Sequence, residues 1–271
     1  MLFSCTPKRQ TTEIIIEDSI KVVKVPSEEA IRKKNKVHTM FEKYWGNDQC
    51  ELYTYNEEGF LIKSSIQENC KKGSAVTSDY IYDKENRLLE TITYKNGKYD
   101  YKWVNVYHDS LLEKKIFYRA GKDSAEVQQR YIYKDGLLSI EEDNSFQTSY
   151  TYDSHGLCTS IFMKELGEKI SGDMSESYLY NKNGWKIASF SNSGGILGSQ
   201  DSQFRYDSTG KIVEEHSDHK SFGIQHSMKY EYNPGGLLLK KIHSKKVSGM
   251  AQQYGQHDET DSVTYEYTFY K

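Results

Sequence analysis

With 23 Tyr, 10 Phe and 3 Trp but only 3 Pro in 271 residues, the chain is not a disordered one, since disordered chains are poor in aromatics and rich in proline. A hydrophobic fraction of 36% excludes a thick aliphatic core. Tyrosine must supply much of the burial, each ring covering about 150–250 Å² while its hydroxyl stays wet. A formal net charge of -3, with both signs interspersed, lacks the basic footprint of a nucleic-acid binder.

The chain opens on Leu2-Phe3-Ser4-Cys5, followed by the polar run Thr6-Pro7-Lys8-Arg9-Gln10. Four residues are too few for the charged and apolar parts of a signal peptide. The tetrapeptide nevertheless resembles the end of a bacterial lipoprotein signal, with Leu three before the cysteine and a small residue just before it. Phe3 departs from the small or aliphatic residue usual there. The resemblance makes Cys5 an acylated residue, residues 1–12 a tether, and the location a bacterial cell envelope, either periplasm or outer membrane. The alternative is an unmodified Cys5 in a frayed terminus and a cytoplasmic protein. No apolar run approaches the roughly 18 residues of a membrane helix, so membrane contact is expected only through a lipid on Cys5.

Glu13–Glu17 and Lys21–Val25 read as an initiating hairpin. Ser27 before Glu28-Glu29 offers a helix start, and a helix as far as Trp45 competes with strand; strand is expected from Val37, and Ser27 to Lys34 stay open. From there the chain repeats itself. Clear copies are Tyr53-Thr-Tyr55-Asn56…Gly59, Tyr80-Ile-Tyr82-Asp83…Asn86, Tyr131-Ile-Tyr133…Gly136 and Tyr150-Thr-Tyr152-Asp153…Gly156. Tyr178-Leu-Tyr180-Asn181…Gly184, Phe204-Arg-Tyr206-Asp207…Gly210 and Tyr230-Glu-Tyr232-Asn233…Gly236 continue the series. Weaker copies are centred on Ile31 and Tyr107, and Tyr265-Glu-Tyr267 starts a copy and stops, as a closing strand would. The period is about 26 residues.

Each unit has a physical logic. Tyr-x-Tyr alternates at period two, so both rings share one face of a strand. Asn or Asp bonds its own backbone to start a turn, and Gly or Asn takes the positive φ that closes it. Apolar and charged residues return, as in Leu238-Leu-Lys-Lys-Ile242. The expected fold is all-β: one domain over residues 13–271, built of tandem antiparallel hairpins in a meander of about 16 to 20 strands. Such a sheet twists and is either an open spiral or a barrel. Gly194–Ser202 and Lys245–Ser262 read as long polar loops.

The recurring Tyr-(Asp/Asn)-x-x-Gly-x-(Leu/Ile) resembles the YD repeats of the RHS family, which build β-shells in bacterial toxins and in teneurins. The likeness covers about residues 31–270. It implies a scaffold, a strip of strands that spirals and sometimes encloses cargo. The chain departs in having far fewer repeats and no C-terminal toxin domain. Asn233-Pro-Gly-Gly-Leu237 resembles the family's Asp-Pro-x-Gly-Leu self-cleavage motif with Asn in place of Asp; an ordinary Pro-Gly turn is expected.

Motifs of catalysis are missing: no phosphate loop, no His-Glu-x-x-His, no Gly-x-Ser-x-Gly. His216-Ser-Asp-His219 is the nearest to a metal motif and reads as a solvated turn, while His226, His243 and His257 are scattered. Neighbours in Glu141-Glu142-Asp143 and in Glu214-Glu215 face opposite ways on a strand and make no acid–base pair. Cys50 and Cys70 flank one hairpin and pair only if its strands are staggered, and Cys158 takes the place of a small buried hydrophobe. The three tryptophans, Trp45, Trp103 and Trp185, interrupt the pattern. They fill gaps in the strip, or they stack on a sugar, peptide or protein partner. The expectation is a scaffold or binding module without cofactor or metal. A truncated shell around a polypeptide effector and a polysaccharide-acting enzyme with a site on the concave face are the alternatives.

Overall fold

A computed structural model describes residues 25–44, 49–68, 74–122, 124–166, 173–193 and 198–270. The elements are α1 (Glu28–Lys34), β1 (Val37–Tyr44), β2 (Gln49–Tyr55), β3 (Leu61–Glu68), β4 (Ser74–Tyr82), β5 (Leu88–Lys95), β6 (Lys98–His108), β7 (Leu111–Arg119), β8 (Glu126–Lys134) and β9 (Leu137–Asp143). They continue with β10 (Phe146–Tyr152), β11 (Cys158–Glu165), β12 (Met174–Tyr180), β13 (Lys186–Ser193), β14 (Ser199–Tyr206), β15 (Ile212–His219), β16 (Ile224–Tyr232), β17 (Leu238–Val247), α2 (Gly249–Gln253) and β18 (Glu259–Phe269). Every strand pairs antiparallel with its neighbours in sequence, and β18 pairs with β1, with Phe41 opposite Glu266. The 18-stranded meander therefore closes into a barrel. A round wall of that many strands, tilted as barrel strands are, is roughly 35 Å across.

The repeat works as its chemistry requires. In the hairpin β12–β13 the amides of Asn183 and Trp185 donate to Asn181 Oδ1 at 2.9 and 3.1 Å, and the Gly184 amide donates to the Asn181 carbonyl. Asp83, Asp153 and Asp207 organise their turns in the same way. Asn86, at φ +62°, stands where the other copies have glycine. Leu237 N–H donates to Asn233 Oδ1, so the Asn233–Leu237 segment is another such turn. These turns are flanked by a β-bulge at the second tyrosine, as at Leu179/Tyr180 and Arg205/Tyr206.

The ends depart from the sequence reading. Ser27 caps α1 by accepting from the Ala30 amide, and Ile31 lies on that helix, so the repeat register does not reach back to Ile31; the wall begins at Val37. Ser199–Ser202 belong to β14, and β17, α2 and β18 occupy most of Lys245–Ser262, so neither stretch is a long loop. The alternation there is carried by Ser, Gln, Lys and Thr, whose polarity masked the strands. The proposed tether, Cys5, the Glu13–Lys24 part of the initiating hairpin, Trp45 and Cys70 lie outside the described residues. Cys50 is buried and disulfide-bonded.

Candidate functional site

Strand alternation and the registers sort the side chains into two faces. α1 touches the tyrosine face of several strands at once: Arg32 lies over the Tyr55 ring at 4.6 Å and donates to the Gly59 carbonyl, and Asn35 Nδ2 donates to the Gly235 carbonyl at 3.0 Å. A cavity of about 750 Å³ beside α1 is lined by Tyr55, Tyr206, Tyr232 and Tyr267 from β2, β14, β16 and β18. Only the concave side of a closed wall brings those rings together, so the tyrosines point inward and α1 sits in the mouth of the barrel on the turn side. The approach there is close: a Cβ on Gly59, at φ +84°, would stand 2.4 Å from the Glu29 carbonyl oxygen.

The outward residues are those between the tyrosines. They include Lys63 beside Asp79, Lys102 beside Glu90, and Arg205 in a 2.5 Å ion pair with Glu214. Lys229, Glu231 and Lys240 continue the charged face, with Glu231 opposite Lys240. A membrane-spanning barrel presents an apolar band there, and a Lys or Arg at mid-bilayer costs about 2–4 kcal/mol. The outer wall here carries ion pairs and charges beside exposed apolar side chains such as Ile81, Ile132, Phe162 and Phe190. Buried hydrophobic side chains among the described residues are Val37, Cys50, Tyr55, Leu237, Ala251 and Tyr265. Among the described residues a packed cluster joins Val37, Tyr55 and Leu237 with Ile31, Met40 and Leu61 around α1. Elsewhere the wall is one sheet thick and the inner rings are half-exposed.

The two tyrosines of each pair have different work. In several copies the second one donates to a main-chain carbonyl on the adjacent return strand, which belongs to the hairpin before it. The bonds are Tyr107 to Leu88, Tyr152 to Leu138, Tyr180 to Cys158, Tyr206 to Lys186 and Tyr267 to Leu238, at 2.6–2.9 Å. Each acceptor lies at the start of a return strand, at the bulge, where the ladder leaves a carbonyl open. The first tyrosine lies deeper and in several copies meets a carboxylate, while Tyr80 shares a hydrogen bond with Ser64. Tyr150 donates to Glu141 at 2.9 Å, Tyr230 to Glu215 at 3.3 Å and Tyr265 to Glu42 at 3.0 Å; Tyr53 donates to Glu51. Lysines complete the belt: Lys241 lies over Tyr265, Lys186 over Tyr178 and Phe204, and Lys115 over Tyr131. Burial, followed by the neighbouring carboxylates, pushes the Tyr131 and Tyr230 hydroxyls up to about 12. The belt is thus neutral phenol, carboxylate and ammonium in alternation.

The acidic pairs split as their alternation requires: Glu215 meets Tyr230 inside while Glu214 pairs with Arg205 outside. Trp103 is on the inner face of β6 against Phe117, ring centroids 5.0 Å apart. Trp185 follows the β12 turn, packs on Tyr206 at 5.5 Å and fills the space over Gly210; its buried Nε1 has no hydrogen-bond partner among the described residues. The two stand on separate parts of the wall and share no site. Cys158 is a half-buried free thiol, raised by burial. His216 and His219 fall on opposite faces of β15, within a strand rather than a turn. The inner tyrosine–carboxylate–lysine belt was not legible in the sequence, because Glu42, Glu141 and Glu215 occupy return strands or β1 and meet their tyrosines only through the registers.

No family model matches the chain, and no curated protein matches it. Among solved structures it is similar to a porin-like protein from Bacteroides uniformis at 13% identity, covering 86% of this chain and 98% of that one, with a TM-score of 0.43. It is also similar to the Photorhabdus luminescens Tc holotoxin pore (15% identity, TM-score 0.38) and to the TcdB2–TccC3 assembly (13%, 0.39). It covers 78% and 80% of itself in those matches and spans only 11% and 13% of the toxin chains.

Proposed function

We propose that the chain is a non-catalytic scaffold or binding module of a bacterial cell envelope, taking protein, peptide or glycan on the inner face of the barrel. The observation that carries this reading is the division of the wall into an outer face of mixed charged and apolar side chains and a half-exposed inner belt of phenols, carboxylates and ammonium groups. Aromatic faces with flanking hydrogen-bonding groups are what sugars and peptides are held by. The inner carboxylates are engaged by tyrosine hydroxyls, which supports binding over acid–base chemistry. The 750 Å³ cavity at the mouth has the size of a small-ligand site. Full-length protein titrated with soluble oligosaccharide and peptide libraries, read by tryptophan fluorescence, tests it. Binding that is lost in Trp103→Ala or Tyr150→Ala and kept in Lys229→Ala supports the reading. Binding lost only with the outer-face change, or turnover of a glycan, contradicts it. The envelope location rests on Cys5, and globomycin-sensitive processing with membrane fractionation tests that part.

A second reading is a small shell that encloses a polypeptide. Its support is α1, a segment of polypeptide already held in the mouth through carbonyls of the turn glycines. Co-purifying peptide that protects the inner tyrosines from modification distinguishes it.

A further inference from the structure

Histidines that are far apart in the chain meet on the inner face of β15–β18. His226 Nδ1 and His243 Nε2 are 2.9 Å apart, while the ring planes are 16° from parallel with centroids 5.2 Å apart. A short nitrogen–nitrogen distance beside a long centroid distance describes two imidazoles edge to edge about one shared N–H···N bond. On the far side of the pair, His243 Nδ1 lies 3.3 Å from Asp261 Oδ1. His219 on β15 stands edge-on to His226, centroids 6.0 Å apart. Lys245 on β17 is the cross-strand partner of His226, and Glu259 on β18 is the partner of Lys245. From the outer face, His216 sets Nδ1 3.3 Å from the His226 main-chain carbonyl. Among the described residues no three ligating groups converge on a metal position, so the ligand this arrangement suits is the proton.

We propose that the Asp261–His243–His226 chain is a proton-operated latch in the barrel wall, fastening the α2 connector at neutral pH and releasing it on acidification. With Asp261 accepting from His243 Nδ1–H, His243 Nε2 is left as an acceptor, and His226 Nδ1–H donates to it. One added proton is absorbed. It resides on His243 Nε2, between Asp261 and a His226 that now carries its own proton on Nε2. A second proton puts two N–H groups head to head on two charged rings beside Lys245, and the cross-strand bond cannot persist. Burial, followed by the charges of His243, His219 and Lys245, holds His226 below its ordinary value, so this second step lies on the acid side.

The turn next to the latch is what holds α2. The His219 carbonyl accepts from the Phe222 and Gly223 amides. The Gly223 carbonyl accepts from the Ser248 amide at 2.7 Å, and the Phe222 carbonyl from the Ala251 amide at 3.0 Å. Ala251 is buried against this turn. Parting β16 from β17 at His226 therefore loosens the point to which the connector is tied. The sign follows from the depressed value. The opened form binds more protons than the closed one between the folded value of His226 and its ordinary value of about 6.5. Closure is at full strength above that ordinary value and weakens as pH falls through the window.

Amide hydrogen exchange of the full chain, corrected for intrinsic rates, tests the latch between about pH 7.5 and about pH 5. The expected result is a loss of protection of about tenfold at Ser248 and Ala251, with the amides of β9 and β10 unchanged. His226→Gln should show less than about a twofold change over the same range. Flat protection in the native protein, or an equal loss in His226→Gln, overturns the proposal. Ring nitrogen NMR of the native chain guards against a variant that fails to fold. His226 and His243 should titrate in two coupled steps, and independent single-step titration of both overturns the latch.

Discussion

Replacing the second tyrosine of each pair by phenylalanine removes one hydroxyl and leaves the ring in place. At Tyr107, Tyr152, Tyr180, Tyr206 and Tyr267 that hydroxyl bonds a carbonyl of the preceding hairpin at 2.6–2.9 Å. A net hydrogen bond of this kind contributes about 0.5–1.5 kcal/mol. The rings are half-buried, so water re-solvates part of each freed carbonyl, and the lower half of that range, about 0.5–1 kcal/mol per site, is expected. Successive staples lie two or four strands apart, about 10 Å or more, far enough for the costs to add. The quintuple variant should lose about 2.5–5 kcal/mol, a large share of the roughly 5–15 kcal/mol that holds a domain together. Urea denaturation followed by far-UV circular dichroism measures it, with single variants for the increments. Tyr254→Phe is the control, since that ring is 79% exposed, and it should cost nothing measurable. A quintuple variant within about 1 kcal/mol of the parent would refute the claim that these hydroxyls tie one repeat to the next.

Gly59→Ala should free α1, because φ is +84° and the new Cβ would meet the Glu29 carbonyl at 2.4 Å; exchange of the α1 amides should rise by tenfold or more, about 1.4 kcal/mol. Gly97→Ala, at φ +75° with open space around it, should cost only the backbone strain of about 1 kcal/mol and leave α1 protected. Alkali should unfold the protein cooperatively. Burial raises Tyr55, Tyr131, Tyr180 and Tyr230 to about 12, so the unfolded chain releases their protons first and stability falls as pH rises from about 10 to 12. Tyrosinate absorbance should therefore rise together with loss of the strand signal; a smooth rise that precedes unfolding would contradict the burial. The charges on the outer face predict a protein that stays monodisperse without detergent, checked by light scattering.

Much of the wall was legible in the sequence because its signals are local. Tyr-x-Tyr sets the face, Asn or Asp starts the turn, and Gly or Asn86 closes it, each within one hairpin. Closure was not legible: β18 finds β1 more than 200 residues away, and an open spiral has the same local pattern. The helix at Glu28–Lys34 was signalled by its Ser27 cap but left open, because Asn35 imitates a turn asparagine while serving as a helix cap that also binds the Gly235 carbonyl. The inner belt and the histidine chain depend on registers between strands. Glu42 reaches Tyr265, and His226 reaches His243, only after the ladders are set. Trp185 had the opposite fate. It stood out in the sequence, and its ring is used to fill the space beside Tyr206 and Gly210.

Closure of the barrel is tested most directly by a cysteine pair across the seam. Phe41 and Glu266 are opposite one another on β1 and β18, and both point outward. In a Cys158→Ser background, Phe41→Cys with Glu266→Cys should oxidise within the monomer to near completion, with the cross-link found by peptide mapping. Phe41→Cys with Lys229→Cys, placed on different parts of the wall, should not. Disulfides that form only between molecules, or a seam pair that stays reduced while the fold is intact, would contradict a closed barrel.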